Sequence, residues 1–272
     1  MALHEEMERI AVAHAGSFKL DKQQFLMERK KMIVMTLPDL KKWDLKDKGI
    51  CAGLSVLFLH KHYLHALHAD AEPLCPQLDN IRSAALFSPE PGDDKRPGFL
   101  AAMRYDEGLD LAISIQKSHV SRNHVWNRSR TKAGQKGRLS KQADASINFS
   151  DWLRESFQRL MTVDDNSVLM PLRPFAYGEN PPLLEGAIAG IANGQYCVVT
   201  TDRHAMAIVC RGEGVGVAAR YKFYDPNYGI AKFGTLANLK LFLRDLIVTK
   251  DFTSEYKQPY HLHKFVPFRR VR

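Results

Sequence analysis

The sequence predicts an α+β fold in which helices come first and an antiparallel sheet follows. The helical part includes the segment after Cys51, AGLSVLFLHKHYLHALH, whose first half is apolar on every side and therefore belongs in a core. The last third contains short runs rich in β-branched and aromatic residues, separated by turn residues, which is typical of antiparallel strands. This order of segments predicts the α+β class.

The first 35 residues are predicted to form an N-terminal helical arm. Apolar residues recur at helical spacing around Met7 and Ile10, Gly16 interrupts them, and a second helical stretch runs from Asp21 to about Met32. This arm is a secretion signal, a pro-segment or an integral part of the fold. Residues 36–272 are assigned to one larger domain, since a chain of 272 residues with 45% apolar content can bury one substantial core.

Two polar stretches interrupt the larger domain. The segment SPEPGDDKRP, from Ser88 to Pro97, is predicted to be a surface loop. The segment from Lys117 to Lys141 is rich in arginine and lysine, has little apolar content and is predicted to be an exposed basic insertion. With a formal net charge of +9, the chain could contact an acidic partner or an anionic surface through this insertion.

Several features bound the cellular context. No apolar run approaches the length of a membrane span, and the acidic residues in MALHEEMERI argue against a cleaved signal peptide. The four cysteines, which show no CxxC spacing, favour a reducing compartment. The pair His65 and His68 has no obvious third ligand at fixed spacing, so neither a metal nor a cofactor is expected.

Hydrophobic periodicity and turn signals predict the helices and strands of the second half of the chain. Helices are predicted around Ser150 to Met161 and from Leu183 to Ala192, the latter closed by the turn signal Asn193-Gly194. Strands are predicted at Tyr196–Thr200, Ala205–Cys210 and Arg220–Tyr224. Thr235 is predicted to cap a further helix, whose apolar face comprises Leu236, Leu239, Phe242, Leu243, Leu246 and Ile247.

Three segments carry residues suited to nucleophilic catalysis. In GICAGL, Cys51 lies where a loop becomes a helix, and a helix N-terminus favours a thiolate. In DRHAMAI, His204 stands at the start of a strand that could hold its ring in place. In FYDPNYG, Asp225 ends the next strand, so antiparallel pairing would bring it beside His204.

The chemistry of a cysteine hydrolase needs each of these groups. A thiolate attacks, an imidazole moves the proton, and an acceptor fixes the imidazole tautomer. Cys51, His204 and Asp225 are the candidates for these roles, and the chain order Cys, His, acid is that of papain, with Asp in place of the more usual Asn. Cys75, Cys197 and Cys210 are interpreted as structural.

The segments GICAGLS, RHAMAIV and FYDPNYG resemble those of the YopT/AvrPphB-type cysteine proteases, which are bacterial effectors. The resemblance implies a papain-like fold for residues 36–272, with the nucleophile on a central helix packed on the C-terminal sheet. It also implies a Cys51-His204-Asp225 triad, secretion without a cleaved signal peptide, delivery to the host cytoplasm and cleavage of a specific host protein.

Other interpretations stay open at this stage. The same triad would serve a transglutaminase or a glutamine deamidase, and a basic binding module could retain a papain-like scaffold without catalysis. His204 could be a core histidine, and Asp225 could be a turn former. The segment before Cys51 contains neither Asn nor Gln, so the second oxyanion donor is unassigned: a backbone amide, Trp43 or a lysine such as Lys46 could serve, or the reaction differs from ordinary peptide hydrolysis.

Overall fold

The computed structural model describes most of the second half of the chain and several separate parts of the first half. The described residues are 2–20, 50–67, 112–116, 118, 149, 151–153, 155–156, 167–171, 176–178, 181–201, 204–211, 220–256 and 260–269. The loop predicted at 88–97, the basic insertion apart from Ser118, and residues Asp21 to Met32 lie outside this set.

The described chain forms five named helices and eight strands. The helices are α1 (Leu3–Ala13), α2 (Cys51–Leu67), α3 (Pro181–Ala189), α4 (Leu236–Ile247) and α5 (Lys250–Glu255). The strands are β1 (Gly16–Leu20), β2 (Ser167–Pro171), β3 (Ala176–Gly178), β4 (Gln195–Thr200), β5 (Ala205–Arg211), β6 (Arg220–Asp225), β7 (Gly229–Phe233) and β8 (Tyr260–Arg269).

All eight strands belong to one antiparallel sheet. Their order is β1-β7-β6-β5-β4-β8-β2, and β3 also pairs with β8. The three strands predicted from the sequence are β4, β5 and β6, which lie side by side at the centre. The prediction of helices packed on an antiparallel sheet is confirmed.

The central strand β5 is buried on both faces, because helices cover both sides of the sheet. Ala205, Ala207 and Val209 face the cluster that contains α2. Met206, Ile208 and Cys210 alternate with them and face the cluster formed with α1, α3, α4 and α5. This explains why AMAIVC is a continuous apolar run instead of an alternating one.

Helix α2 is the centre of the first cluster, as its sequence predicted. Residues 51–60 are all buried, and the helix packs against β5 and β6. Phe58 stacks on Tyr224 of β6 with ring centroids 4.7 Å apart. The N-terminal residue of α2, Cys51, is thereby held against the middle of the sheet.

The prediction for helix α4 is also confirmed. The Thr235 hydroxyl accepts a hydrogen bond from the Asn238 amide at 3.1 Å, which is the N-cap interaction expected from the sequence. The buried residues of α4 are Leu239, Phe242, Leu243, Leu246 and Ile247. Leu236 is only half-buried but packs against the same cluster.

The N-terminal segment contains a strand that the sequence did not predict. Helix α1 buries Met7 and Ile10 in the second cluster, and β1 then pairs with β7 at the edge of the sheet. The pattern GSFKL is short, with only Phe18 and Leu20 as large apolar residues, so its strand character comes from pairing with β7. Among the described helices, none combines the length and apolarity that crossing a bilayer requires.

Candidate active site

Cys51 occupies the first position of α2. The first intrahelical hydrogen bond runs from the Leu54 amide to the Ile50 carbonyl at 2.9 Å, so α2 begins at Cys51. The side chain is therefore at the positive end of the helix dipole, in a residue only 7% exposed. This placement is the one the sequence predicted.

His204 is held by the turn between β4 and β5. The Thr201 amide donates to the His204 carbonyl at 2.9 Å, and the His204 amide donates to the Thr201 hydroxyl at 3.2 Å. These two bonds fix the backbone of His204 immediately before β5 begins. The residue is 8% exposed, so its ring is largely withdrawn from water.

Asp225 ends β6 beside the start of β5. The register pairs Ala207 with Tyr224, which brings the two ends together as predicted. His204 Nε2 lies 2.8 Å from Asp225 Oδ1. Because a carboxylate can only accept, the ring donates from Nε2, and Nδ1 is the nitrogen that remains for Cys51. Asp225 is fully buried.

The turn-forming interpretation of Asp225 is also correct. Asp225 Oδ1 accepts from the Asn227 amide at 2.9 Å, and its carbonyl accepts from the Tyr228 amide at 3.0 Å. These bonds make the tight turn into β7. Asp225 therefore both forms the turn and binds His204, because the turn holds its carboxylate in place for the hydrogen bond to the His204 ring.

The His204 ring interacts with both of its predicted partners. Burial acts to lower its pKa, but the charge of Asp225 and the hydrogen bonds to Asp225 and to the Cys51 side chain outweigh burial and raise the pKa to about 10, from an ordinary value of 6.5. The structure thus brings together Cys51 at the start of α2, His204 immediately before β5, and Asp225 at the end of β6. At neutral pH the ring is an imidazolium.

A buried hydrogen bond links α2 to the strand that follows His204. The Ser55 hydroxyl, one helical turn after Cys51, donates to the Ala205 carbonyl at 3.1 Å. Ser55 is 1% exposed, so this bond is shielded from competing water. It fixes the distance between the element that carries Cys51 and the element that carries His204. The sequence analysis did not identify Ser55.

A second helical segment packs on the first turn of α2. The Gly53 amide donates to the Gln116 side-chain oxygen at 3.1 Å, across 63 positions of sequence. A Cβ atom on Gly53 would lie 2.0 Å from the Ala112 carbonyl oxygen, so only glycine permits this approach. Gln116 therefore brings a side-chain amide to the helix end that begins with Cys51.

Tyr256, directly after α5, contacts both members of the His204-Asp225 pair. Its hydroxyl donates to Asp225 Oδ2 at 2.6 Å. Its ring stacks on the His204 imidazole with centroids 4.8 Å apart and planes inclined by 7°. Tyr256 is 3% exposed. The sequence analysis did not identify this residue either.

Residues 188–260 match the family model of the Mcf1 protease effector domain. The matched segment contains His204, Asp225 and Tyr256, whereas Cys51 precedes it. Over this segment the chain resembles a protease effector domain, in agreement with the resemblance found in its motifs. Among curated proteins, no sequence matches the chain significantly.

Two solved structures resemble the chain at low identity. One is the Pseudomonas avirulence protein AvrPphB, with 14% identity, a TM-score of 0.42, and coverage of 79% of this chain and 90% of that chain. The other is PatoxP, a cysteine protease-like domain of the Photorhabdus asymbiotica toxin PaTox, with 13% identity, a TM-score of 0.25, and coverage of 88% of each chain.

The other described cysteines occupy a different environment. Cys197 in β4 and Cys210 in β5 are fully buried in the second cluster, on the opposite face of the sheet from α2. Burial raises the pKa of Cys197 to about 12 and also raises that of Cys210. Both thiols therefore stay protonated at neutral pH, as expected of structural cysteines.

Some sequence predictions fall outside the described residues. These are the predictions for Trp43, Lys46, His68 and Cys75, and for the side chain of His65. Within the part of the chain that the structure describes, no group of three or more side chains suited to metal binding comes together.

Proposed function

We propose that this chain is a cysteine endopeptidase that cleaves a specific host protein through Cys51, His204 and Asp225. The observation that carries the proposal is the buried relay in which the Cys51 side chain hydrogen-bonds to His204, whose Nε2 donates to Asp225. The similarity of residues 188–260 to a protease effector domain supports delivery of the protein into a host cell and action on a protein there.

The proposed reaction follows from the charges in the site. The imidazolium of His204 and the start of α2 both favour a thiolate at Cys51. The thiolate attacks the scissile carbonyl, and His204 gives its proton to the leaving amine. A water molecule then loses a proton to His204 and releases the acyl group from Cys51, which restores the thiolate and the imidazolium. Asp225 holds the ring orientation throughout.

We further propose that Gln116 supplies the second oxyanion donor. Its side-chain oxygen is engaged by the Gly53 amide, so its amide group lies at the first turn of α2. A side-chain amide from another segment would thus replace the amide that papain-like enzymes place before the nucleophile. This assignment would answer the question left by the missing Asn or Gln in residues 38–50.

Replacing Gln116 by alanine or by glutamate tests this role. Glutamate keeps an acceptor for the Gly53 amide but removes the donor, so both variants should lose about 100-fold in substrate turnover. The rate of Cys51 alkylation should fall far less in both variants, because alkylation forms no oxyanion. A Gln116→Glu variant that cleaves at the wild-type rate would show that Gln116 only caps α2.

The catalytic role of Cys51 is tested by alkylation and by a search for cleavage products. Iodoacetamide labelling of Cys51 at pH 6.5, mapped by mass spectrometry, should slow about 100-fold in His204→Ala, because an unassisted thiol is mostly protonated there. His4→Ala on α1 is the matched control and should label normally. Host-cell lysate treated with wild type, but not with Cys51→Ala, should gain new protein N-termini.

The outcomes separate the competing functions. A Cys51-dependent change of glutamine to glutamate without new N-termini would favour the deamidase alternative, and new crosslinks would favour the transglutaminase. If Cys51 labels no faster than free cysteine, and His204→Ala changes nothing, the enzyme proposal is wrong. Salt-sensitive binding to a partner that persists in Cys51→Ala would then favour the basic binding module.

A further inference from the structure

We propose that Tyr256 is a positioning residue that fixes the orientation of Asp225 and His204 relative to each other. This inference rests on the proposed function, because it assigns Tyr256 a role through the pair that serves Cys51. The inference comes from two independent contacts of one buried side chain: a hydrogen bond to the carboxylate and a parallel stack on the imidazole.

The hydroxyl group acts on Asp225. Asp225 Oδ1 already accepts from the Asn227 amide and from His204 Nε2, so Oδ2 needs a separate donor, which Tyr256 supplies at 2.6 Å. The Asn227 side chain lies 3.4 Å from the Tyr256 hydroxyl and donates to it, which turns the hydroxyl proton toward Asp225. With both oxygens engaged, the carboxylate cannot rotate away from His204.

The ring of Tyr256 acts on His204. The two rings are nearly parallel, with centroids 4.8 Å apart, so the tyrosine ring covers that face of the imidazole and excludes water from it. Exclusion of water strengthens the attraction between the imidazolium and Asp225. The negative face of the tyrosine ring also attracts a cation at this distance. Both effects favour the protonated ring that the proposed mechanism requires.

Tyr256 can position its neighbours because it is itself held in place. Its amide donates to the Phe252 carbonyl at 2.8 Å, and its carbonyl accepts from the Tyr260 hydroxyl. The Phe252 ring packs edge-on against it. Burial and the negative charge of Asp225 raise the pKa of the Tyr256 hydroxyl well above its usual range, so it remains a donor at every working pH.

Two substitutions separate the hydroxyl from the ring. Tyr256→Phe removes the bond to Asp225 and keeps the stack, whereas Tyr256→Leu removes both. Tyr221→Phe is the matched control, because it removes a hydroxyl from another buried tyrosine, on β6 four residues before Asp225. If Tyr256→Leu does not fold, the phenylalanine variant still tests the hydroxyl, since it keeps the shape of the side chain.

The experiment follows the protonation of His204 by NMR, with its ring signals assigned from their loss in His204→Ala. In Tyr256→Phe the titration midpoint should fall by about one pH unit, since a loosely held carboxylate stabilises the imidazolium less. It should fall further in Tyr256→Leu. Alkylation of Cys51 at pH 6.5 should slow about three- to ten-fold in Tyr256→Phe. Tyr221→Phe should match wild type in both measurements.

An unchanged or raised midpoint in Tyr256→Phe, with alkylation at the wild-type rate, would overturn the inference. An equal shift in Tyr221→Phe would also overturn it, because the effect would then come from any buried tyrosine. Failure of the proposed function gives a different result: Cys51 in wild type would lack His204-dependent alkylation, while the titration of His204 would still report the contact with Tyr256.

Discussion

Replacing Asp225 by alanine is expected to lower the rate of substrate cleavage by about 10³- to 10⁴-fold. The substitution removes the acceptor for His204 Nε2. It also removes the negative charge that raises the pKa of the His204 ring against the lowering effect of burial. His204 would then lose both its fixed orientation and its raised pKa. The measurement is the initial rate of cleavage of a substrate identified by its new N-terminus.

Asp225→Asn separates orientation from charge. Asparagine keeps the shape and one acceptor oxygen but carries no charge. In this variant, activity on the alkaline side should fall at a much lower pH than in wild type. The reason is that the pKa of His204 drops from about 10 toward its ordinary value. In the proposed mechanism protonated His204 gives its proton to the leaving amine, so activity is expected to be lost as the pH rises through that pKa. A full rate in Asp225→Ala would contradict the proposed role.

Replacing Gly53 by alanine is expected to destabilise the fold by about 2–3 kcal/mol. The added Cβ would lie 2.0 Å from the carbonyl oxygen of Ala112 and 2.9 Å from its carbonyl carbon. These are backbone atoms, so no side-chain rotation can relieve the clash, and residues 112–116 must move away from α2. Denaturant unfolding followed by circular dichroism would measure the loss.

Gly186→Ala is the matched control for this substitution. Gly186 also lies in a helix, α3, but nothing lies within 4 Å of the position of an added Cβ. Alanine should therefore stabilise the protein by about 0.5–1 kcal/mol through its higher helix propensity. Equal free energies of unfolding for the two variants would contradict the close packing of Ala112 on α2. The Gly53 variant should also lose activity, because Gln116 would shift with Ala112.

The sequence was most informative where local signals agree with tertiary structure. The helix after Cys51 is apolar on every side, and the runs around Cys197 and Ile208 are continuous and β-branched, so the central helix and strands could be assigned. Thr235 marked the start of α4 through a local side-chain bond. His204 and Asp225 could be paired because they are 21 positions apart on neighbouring strands.

Strands outside the central three were harder to predict, because their partner strands determine them. The pattern GIAKF of β7 follows directly from the turn after Asp225, and β1 is only five residues long with two large apolar residues. Strand β8 contains Pro267, and proline is uncommon inside long strands. Such segments become strands because neighbours in the sheet offer their backbone groups, and that information is absent from the local sequence.

The residues around Cys51, His204 and Asp225 were missed for a related reason. Gln116 reaches Gly53 across 63 positions, and Tyr256 reaches Asp225 across 31, so neither belongs to a local motif. The alternation in LDLAISIQ even suggests a strand, although residues 112–116 are helical. For Tyr256, the aromatic residues Phe252, Tyr256 and Tyr260 recur at every fourth position, which was a weak signal of a shared buried face.

The pairing of β1 with β7 has a consequence for the kinetics of folding. His14 and Asp245, which join the ends of α1 and α4, are 231 positions apart, and β1 pairs with β7 over a similar separation. Strand β1 thus has its partner far along the chain, and closing so large a loop is slow. We expect the β4-β5-β6 hairpins to form early and β1 to join the finished sheet last.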